Sequence, residues 1–96
     1  MQETLGKLTS CTYVLLSLAD GELYIGYSSD LCQRLTDHFG GKVPSTAPRR
    51  PLRLIHVEYY LADEDARRRE SYFKTTKGKR ALKLMLRDTL ALARTG

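Results

Sequence analysis

Apolar and polar positions divide the chain into three strands and three helices, in the order β-β-α-β-α-α. Residues 12–18 form a nearly continuous apolar run, which is typical of a buried strand, and residues 22–26 alternate as a second strand. A third strand is predicted over residues 52–61, which are rich in β-branched and aromatic side chains. Apolar stripes at helical spacing predict helices over residues 30–39, 64–75 and 79–93.

A hairpin turn is predicted between the first two strands. The dipeptide Asp20-Gly21 favours a two-residue turn, because glycine adopts a positive φ without strain. Such a turn would pair Leu15 with Gly26 and would place Tyr13 on the same sheet face as Tyr24. A loop one residue longer would move the two tyrosines to opposite faces.

Capping residues delimit the predicted helices. Ser29 or Asp30 would cap the first helix, and Gly40-Gly41 would end it. Asp63 would cap the second helix, and Lys77-Gly78 would separate it from the third. A leading hairpin, a third strand and later helices predict an α+β fold.

Length limits the chain to one domain, predicted over residues 11–93 of 96, with a loose leader over 1–10 and a tail over 94–96. No apolar run approaches the roughly 20 residues that span a bilayer, and the N-terminus lacks the basic start and apolar core of a secretory signal. Two cysteines allow at most one disulfide. A cytoplasmic protein with reduced thiols and no membrane partner is therefore expected.

The net charge of +5 is unevenly distributed. Residues 1–40 carry two basic and five acidic side chains, a net charge of −3, whereas residues 41–96 carry fourteen basic and six acidic side chains, a net charge of +8. A basic half favours a polyanionic partner, nucleic acid first. Solvated helix faces would account for the same lysines and arginines, and charge alone does not separate the two interpretations.

Glu70 interrupts the apolar side of the second predicted helix. Ala66 and Phe73 lie on one helical face, and Glu70 falls between them. Burial of a carboxylate is costly unless it is paired or binds a cation. One interpretation is an ion pair with Lys74, one turn further along; the other is a functional carboxylate.

Polar residues also gather near the first hairpin. Arg34 and His38 lie one turn apart on the first predicted helix, which begins four residues after Gly26. Tyr13 and Tyr24 would border that polar stripe if they share a sheet face. Gly26 itself predicts either a bulge or the close approach of another group to the backbone.

The ordered motifs resemble those of the GIY-YIG nuclease family. The second half of the family signature is intact as Tyr24-Ile25-Gly26, and Cys11-Thr12-Tyr13 keeps the tyrosine of the first half, with ten residues between Tyr13 and Tyr24. The resemblance covers residues 11–87 and is strongest to small, single-domain bacterial members related to the nuclease domain of the excision-repair incision subunit. Further matching segments are residues 29–38, Arg50-Pro51-Leu52, Tyr59-Tyr60, Glu70, Phe73-Lys74 and Lys77-Gly78-Lys79.

The resemblance implies a small three-stranded antiparallel sheet flanked by helices and cleavage of DNA phosphodiesters with Mg²⁺ or Mn²⁺. Glu70 resembles the family's single metal-binding carboxylate. Tyr13 and Tyr24 resemble the tyrosines that hold or deprotonate the attacking water. Arg34 resembles the arginine that contacts the scissile phosphate, and His38 stands where members carry a histidine or tyrosine that assists the water network.

One departure concerns the position after the second signature, where members often carry lysine and this chain has Tyr27. A tyrosine base needs a nearby positive charge, because its ordinary pKa of about 10 is too high for work at neutral pH. The missing lysine therefore leaves open which group lowers the pKa of the tyrosine.

The sequence predicts a metal-dependent endonuclease acting on duplex or branched DNA. A non-catalytic nucleic-acid-binding module on the same fold is the main alternative, and a protein-interaction adaptor is a weaker one. Targeting would have to come from loop 42–51, a homodimer or a partner protein. The residues expected to bind the nucleic-acid backbone are Arg49, Arg50, Lys74, Lys77 and Lys79.

Overall fold

The computed structural model describes residues 8–95 and shows the predicted α+β fold with one additional helix. The leader expected over residues 1–10 lies mostly outside the described residues, and Ser10 already belongs to the first strand. The last helix extends to Thr95, past the expected boundary at 93; Gly96 is outside the described residues. The elements are β1 (Ser10–Ser17), β2 (Leu23–Ser28), α1 (Leu31–Phe39), a 3-10 helix (Ala47–Arg49), β3 (Leu52–Tyr60), α2 (Asp63–Phe73), α3 (Thr76–Met85) and α4 (Arg87–Thr95).

The three strands form an antiparallel sheet in the order β2-β1-β3. The predicted hairpin register is wrong by two residues, because Tyr13 lies opposite Gly26 and Leu15 lies opposite Tyr24. The connecting loop is longer than the predicted two-residue turn because the Ser17 hydroxyl accepts hydrogen bonds from backbone N–H groups within the loop. A shift of two preserves the side-chain alternation, so Tyr13 and Tyr24 do share a face.

The two faces of the sheet carry different cores. On one face, Val14 and Leu16 of β1 pack with apolar residues of α2, α3 and α4, including Phe73 and Leu82. On the other face, Tyr13 and its β1 neighbours Cys11 and Leu15 pack under Leu31 and Leu35 of α1. Helix α1 therefore covers the face that holds both tyrosines.

Two helix predictions are wrong in detail. Ala62, not Asp63, is the N-cap of α2; the Asp63 side chain accepts hydrogen bonds from Ser10 and Arg67 instead. The single third helix expected over residues 79–93 is two helices, α3 and α4, which meet at Leu86. None of the helices between residues 8 and 95 is long and apolar enough to cross a membrane.

The predicted helix break at Lys77-Gly78 is also wrong. Thr75 caps α3 by accepting a hydrogen bond from the Gly78 N–H, so Gly78 lies in the first turn of that helix. A Cβ atom at Gly78 would lie 1.8 Å from the Tyr72 carbonyl oxygen. The glycine therefore allows close approach of α3 to the end of α2.

An ionic cluster fastens β3 to α2. The Glu58 carboxylate accepts hydrogen bonds from Arg69 Nε at 2.8 Å and from the Tyr60 hydroxyl at 2.6 Å, and His56 Nε2 lies 2.8 Å away. Burial would raise the pKa of Glu58, but the hydrogen bonds from Arg69, His56 and Tyr60 outweigh it and hold the pKa at about 2. Glu58 is thus ionised over the whole neutral range.

Candidate active site

Helix α1 presents Arg34 and His38 to the sheet. The Asp30 side chain caps the helix by accepting a hydrogen bond from the Gln33 N–H, as predicted. Leu31 and Leu35 pack on the tyrosine face of the sheet. Arg34 and His38 lie beside these leucines on α1 and therefore also point toward the sheet. His38 is completely buried, and Arg34 is half-buried.

Tyr13 lies flat against the neighbouring strand at Gly26. A Cβ atom built on Gly26 would lie 2.4 Å from both Cζ and Oη of Tyr13, a distance that real side chains do not tolerate. Of the two alternatives predicted for Gly26, the structure shows the close approach of another group. The absence of a side chain there is what brings the Tyr13 hydroxyl beneath α1.

Hydrogen bonds join the two elements at the Tyr13 hydroxyl. His38 Nε2 lies 2.7 Å from Tyr13 Oη, and Arg34 Nε donates to the same oxygen at 3.3 Å. The other ring nitrogen, His38 Nδ1, is hydrogen-bonded to Thr46 Oγ1 at 2.8 Å. The structure thus brings three of the sequence-predicted residues into one continuous network.

Tyr24 completes the group from the edge strand β2. Its ring centroid lies 6.4 Å from that of Tyr13 and 5.1 Å from that of His38, with an edge-on orientation to the imidazole. Unlike Tyr13, which is completely buried, Tyr24 is only half-buried. Tyr24 is therefore the more accessible of the two tyrosines.

The pKa values show which groups carry charge in the network. Burial raises the pKa of Tyr13 to about 12, and the hydrogen bond from Arg34 offsets only part of this rise. Burial, and then the positive charge of Arg34, lower the pKa of His38. The pKa of Arg34 is raised, first by its hydrogen bond to Tyr13. At neutral pH the site therefore holds a neutral phenol, a neutral imidazole and a guanidinium cation, and the lowered pKa expected for a tyrosine base is not found at Tyr13.

Glu70 lies outside this hydrogen-bonded network, on the helix that packs against the opposite face of the sheet. Its carboxylate forms an ion pair with Lys74 Nζ at 3.0 Å, so the pairing weighed in the sequence analysis is present. Arg67, three residues before Glu70, lies over the Tyr27 ring of β2 at 4.1 Å. Because residues three apart share one side of a helix, Glu70 lies one turn beyond Arg67 on the same side of α2.

Tyr27, which stands where the family often carries lysine, contacts two charged residues of α2. Its hydroxyl donates a hydrogen bond to the Asp63 carboxylate, and the Arg67 guanidinium covers its ring. Arg67 in turn pairs with Asp63 at 2.6 Å. The position after the signature is therefore part of a contact between β2 and α2, with a cation supplied by the helix.

Four of the five predicted backbone-binding residues line clefts. A cleft of about 350 Å³ includes Lys74, Lys79 and Lys83, and a neighbouring cleft of about 330 Å³ includes Lys79, Lys83 and Arg49. Arg50 instead lines a separate cleft of about 490 Å³ with Phe39 and Pro51, and Lys77 lines none of these three. We call the two adjoining clefts the basic surface; its residues are Lys74, Thr76, Lys79, Arg80, Lys83, Glu22, Leu23 and Arg49.

Thr46 and Lys83 were not identified from the sequence. Thr46 is completely buried and contacts the imidazole, yet it lies in an irregular loop that has no periodic pattern to reveal an inward-facing residue. Lys83 follows Lys79 by one helical turn, and that spacing could have identified it.

Candidate metal ligands are sparse. Between residues 8 and 95, no three histidine, cysteine, aspartate or glutamate side chains are grouped as a metal site would require. The carboxylate of Glu70 is a hard oxygen ligand of the kind that Mg²⁺ and Mn²⁺ accept. A cation there would need water or substrate oxygens to complete its coordination.

Comparisons with known proteins agree with the motifs and the fold. Residues 9–83 match the GIY-YIG catalytic domain. A UPF0213 protein of Bacillus pumilus is 41% identical over 64 residues, which are 66% of this chain and 65% of that protein, so the match spans less than two thirds of the relative. A UPF0213 protein of Streptococcus agalactiae serotype V is 38% identical over 69 residues, which are 71% of this chain and 77% of that protein.

A solved structure extends the likeness to three dimensions. The solution NMR structure of a UPF0213 protein from Bacillus halodurans has a TM-score of 0.51 and 30% sequence identity, covering 79% of this chain and 83% of that chain. The predicted fold class and family are therefore confirmed. The chain belongs to the GIY-YIG family and is similar to its small UPF0213 members.

Proposed function

We propose that the chain is a divalent-metal-dependent endonuclease that hydrolyses DNA phosphodiester bonds. The observation that carries the proposal is the network in which Arg34 and His38 meet at the Tyr13 hydroxyl, with Tyr24 beside them. A purely structural core has no need of a guanidinium and an imidazole on one buried phenol. The membership in a nuclease family supports the same chemistry.

Arg34 would bind the scissile phosphate. Its Nε donates a hydrogen bond to Tyr13 Oη, and this bond fixes the plane of the guanidinium group. The terminal NH₂ groups would then donate to the oxyanion. Negative charge builds on the phosphoryl oxygens as the water attacks, and a fixed cation stabilises that charge without reorganisation. The half-buried position of Arg34 strengthens the effect, because solvent screens it less than a fully exposed side chain.

Tyr24 would hold the attacking water. Tyr13 has a pKa of about 12 and is completely buried, so it is unsuited to act as a free phenolate at neutral pH. Its hydroxyl instead connects Arg34 to the neutral His38, which can take up a proton through its hydrogen bond with Tyr13. Tyr24 and His38 would thus orient and activate the water, while Tyr13 holds the arginine and the imidazole in register.

Glu70 fits a divalent cation as a single oxygen ligand. Mg²⁺ keeps several waters and binds through one or two carboxylates together with substrate phosphates, so one glutamate is a sufficient protein contribution. When bound, the cation would supply Lewis-acid stabilisation of the phosphate. Lys74 would have to release Glu70, and its ammonium group would then be free for the DNA backbone.

The basic surface would hold the DNA strand that leads away from the site. Lys79 and Lys83 border Glu22 and Leu23 at the start of β2, the strand that carries Tyr24 one residue further on. Lys74 connects this surface to Glu70. A backbone that enters at Arg34 would therefore meet further cations at the same edge of the sheet, as predicted for Arg49, Lys74 and Lys79.

The test is cleavage of supercoiled, nicked, branched and single-stranded DNA by the purified chain with Mg²⁺ or Mn²⁺. We expect cleavage of at least one substrate, its loss with EDTA, and its loss in Glu70→Ala. Four intact substrates with both metals would contradict the proposal. Activity that Glu70→Ala leaves unchanged would show that the cleavage comes from a contaminant.

A non-catalytic nucleic-acid-binding module is the second candidate, and the ion pair between Glu70 and Lys74 favours it. That function needs the basic surface but neither the cation nor Tyr24. It predicts salt-dependent binding of DNA or RNA that survives both EDTA and Glu70→Ala, without cleavage. The cytoplasmic location and the homodimer or targeting partner stay predictions.

A further inference from the structure

We propose that Thr46 is a positioning residue that holds His38 as the tautomer protonated on Nδ1, so that Nε2 faces Tyr13 as a proton acceptor. Thr46 belongs to loop 42–51, for which the sequence predicted a part in targeting and, through Arg49 and Arg50, in backbone binding. The catalytic consequence rests on the proposed function. The tautomer itself does not.

The loop delivers Thr46 to the imidazole by its own backbone hydrogen bonds. The Val43 carbonyl accepts from the Thr46 N–H at 3.1 Å and from the Ala47 N–H at 2.8 Å, which closes a tight turn. Val43 is buried, and Thr46 is completely buried. The turn is further fastened to the sheet, because the Ser17 hydroxyl donates to the Arg49 carbonyl at 2.6 Å. Thr46 therefore has a fixed position under His38.

Hydrogen-bond donors and acceptors decide between the two neutral tautomers. Tyr13 Oη already accepts from Arg34 Nε, and within residues 8–95 the sole acceptor bonded to its own proton is His38 Nε2. If Nε2 carried the hydrogen instead, the buried Tyr13 proton would lose that acceptor. With the hydrogen on Nδ1, the imidazole donates to Thr46 Oγ1 at 2.8 Å, and Thr46 Oγ1 lies within 3.5 Å of the Val43 carbonyl for its own donation.

This arrangement gives the network a direction. Arg34 donates to Tyr13, Tyr13 donates to His38, and His38 donates to Thr46. A proton that leaves the attacking water is relayed by Tyr13, whose hydroxyl passes its own proton to Nε2 and takes up the proton of the water in exchange. His38 thereby becomes an imidazolium with Nδ1 still bonded to Thr46. Without the Thr46 hydroxyl, Nδ1–H would be buried without an acceptor, so the tautomer protonated on Nδ1 would lose its advantage and the tautomer protonated on Nε2 would gain population.

The direct test is the long-range ¹H–¹⁵N spectrum of the ¹⁵N-labelled full chain at pH 7.5, recorded without DNA or metal. We expect His38 to be protonated on Nδ1 in the wild type and in Thr46→Ser, which keeps the hydroxyl. In Thr46→Val, which has nearly the same shape, the hydrogen should move wholly or partly to Nε2. The second histidine, His56, serves as an internal reference and should not change.

Two outcomes of the spectrum would overturn the inference: a wild-type His38 protonated on Nε2, or a Thr46→Val spectrum that keeps the wild-type tautomer. Circular dichroism shows whether the valine variant folds; if it does not, the wild-type tautomer decides the question.

Single-turnover cleavage separates this inference from the proposed function. Thr46→Val should cleave about tenfold more slowly or worse at unchanged DNA affinity, and Thr46→Ser should restore most of the rate. A valine variant that cleaves at the wild-type rate would overturn the positioning role. If the wild type cleaves no DNA, the proposed function fails, while the assignment of the tautomer still stands or falls on the spectrum.

Discussion

Tyr13 Oη and His38 Nε2 are 2.7 Å apart, and both side chains are completely buried between β1 and α1. The contact joins residues 25 positions apart in the chain. It couples the packing of the α1 face to the chemistry of the site, because any change that moves the tyrosine also moves the imidazole and Arg34.

Gly26→Ala should disrupt the tyrosine site. The new methyl group would lie 2.4 Å from the Tyr13 ring, which must shift and break its contact with His38. We expect a loss of about 1–3 kcal/mol in the free energy of unfolding, measured by urea denaturation. If the clash with Tyr13 is the cause, Gly26→Ala should cost much less in a Tyr13→Ala background. Equal costs in both backgrounds would contradict this explanation.

His38 should make the fold less stable in mild acid. Because burial and Arg34 lower the pKa of His38 in the folded state, the unfolded chain binds a proton first as the pH falls. The free energy of unfolding should therefore be highest above the ordinary histidine pKa of about 6.5 and decline below it. In His38→Gln that decline should be smaller between about pH 6.5 and 5. If the free energy of unfolding declines equally with pH in His38→Gln and in the wild type, His38 is not the cause of the decline.

Glu58 should dominate stability at lower pH. Its pKa of about 2 lies well below the ordinary value of 4.5, so the stabilisation is complete above pH 4.5 and is lost as the pH falls toward 2. The shift corresponds to about 3 kcal/mol, and Glu58→Gln should remove much of it at pH 7. Asp65→Asn is a matched control, because Asp65 pairs with Arg68 on the exposed side of α2. Equal effects of the two variants in urea denaturation would contradict the assignment.

The basic surface should govern DNA affinity. Lys79→Gln combined with Lys83→Gln should weaken binding and reduce the slope of log K against log salt by about 2, because each lysine releases about one counterion. Arg68→Gln combined with Arg87→Gln removes the same charge outside both clefts and should change the slope much less. DNA binding is measured by fluorescence anisotropy, with Glu70→Ala added to each protein so that the DNA is not cleaved. Equal slopes for the two double variants would show that the basic surface does not govern DNA affinity.

Local patterns predicted most of the fold and the tyrosine site. The alternation in β1 and β2 placed Tyr13 and Tyr24 on one face even though the register was two residues off, because an even shift preserves the face. Helical spacing likewise paired Arg34 with His38.

Contacts made through loops and helix ends were not predictable in this way. The Ser17 hydroxyl sets the hairpin length, Asp63 turns from the helix end to Ser10 and Arg67, and Thr46 reaches His38 from an irregular loop. Each depends on partners distant in sequence or on a hydrogen bond that hydrophobic periodicity does not encode. For Glu70, the sequence left an ion pair with Lys74 and a functional carboxylate as alternatives; the structure shows the ion pair, and the functional role stays a prediction.

The most direct test of whether the group around Tyr13 and His38 cleaves DNA is to replace Arg34 by alanine. The single-turnover cleavage rates of Arg34→Ala and the wild type are compared with saturating enzyme and Mg²⁺ or Mn²⁺. Arg68→Ala, an exposed arginine of α2, is the matched control. The account predicts cleavage by the wild type and the control, and a rate at least about 100-fold lower for Arg34→Ala at an unchanged melting temperature. Wild-type cleavage that Arg34→Ala retains in full would contradict it.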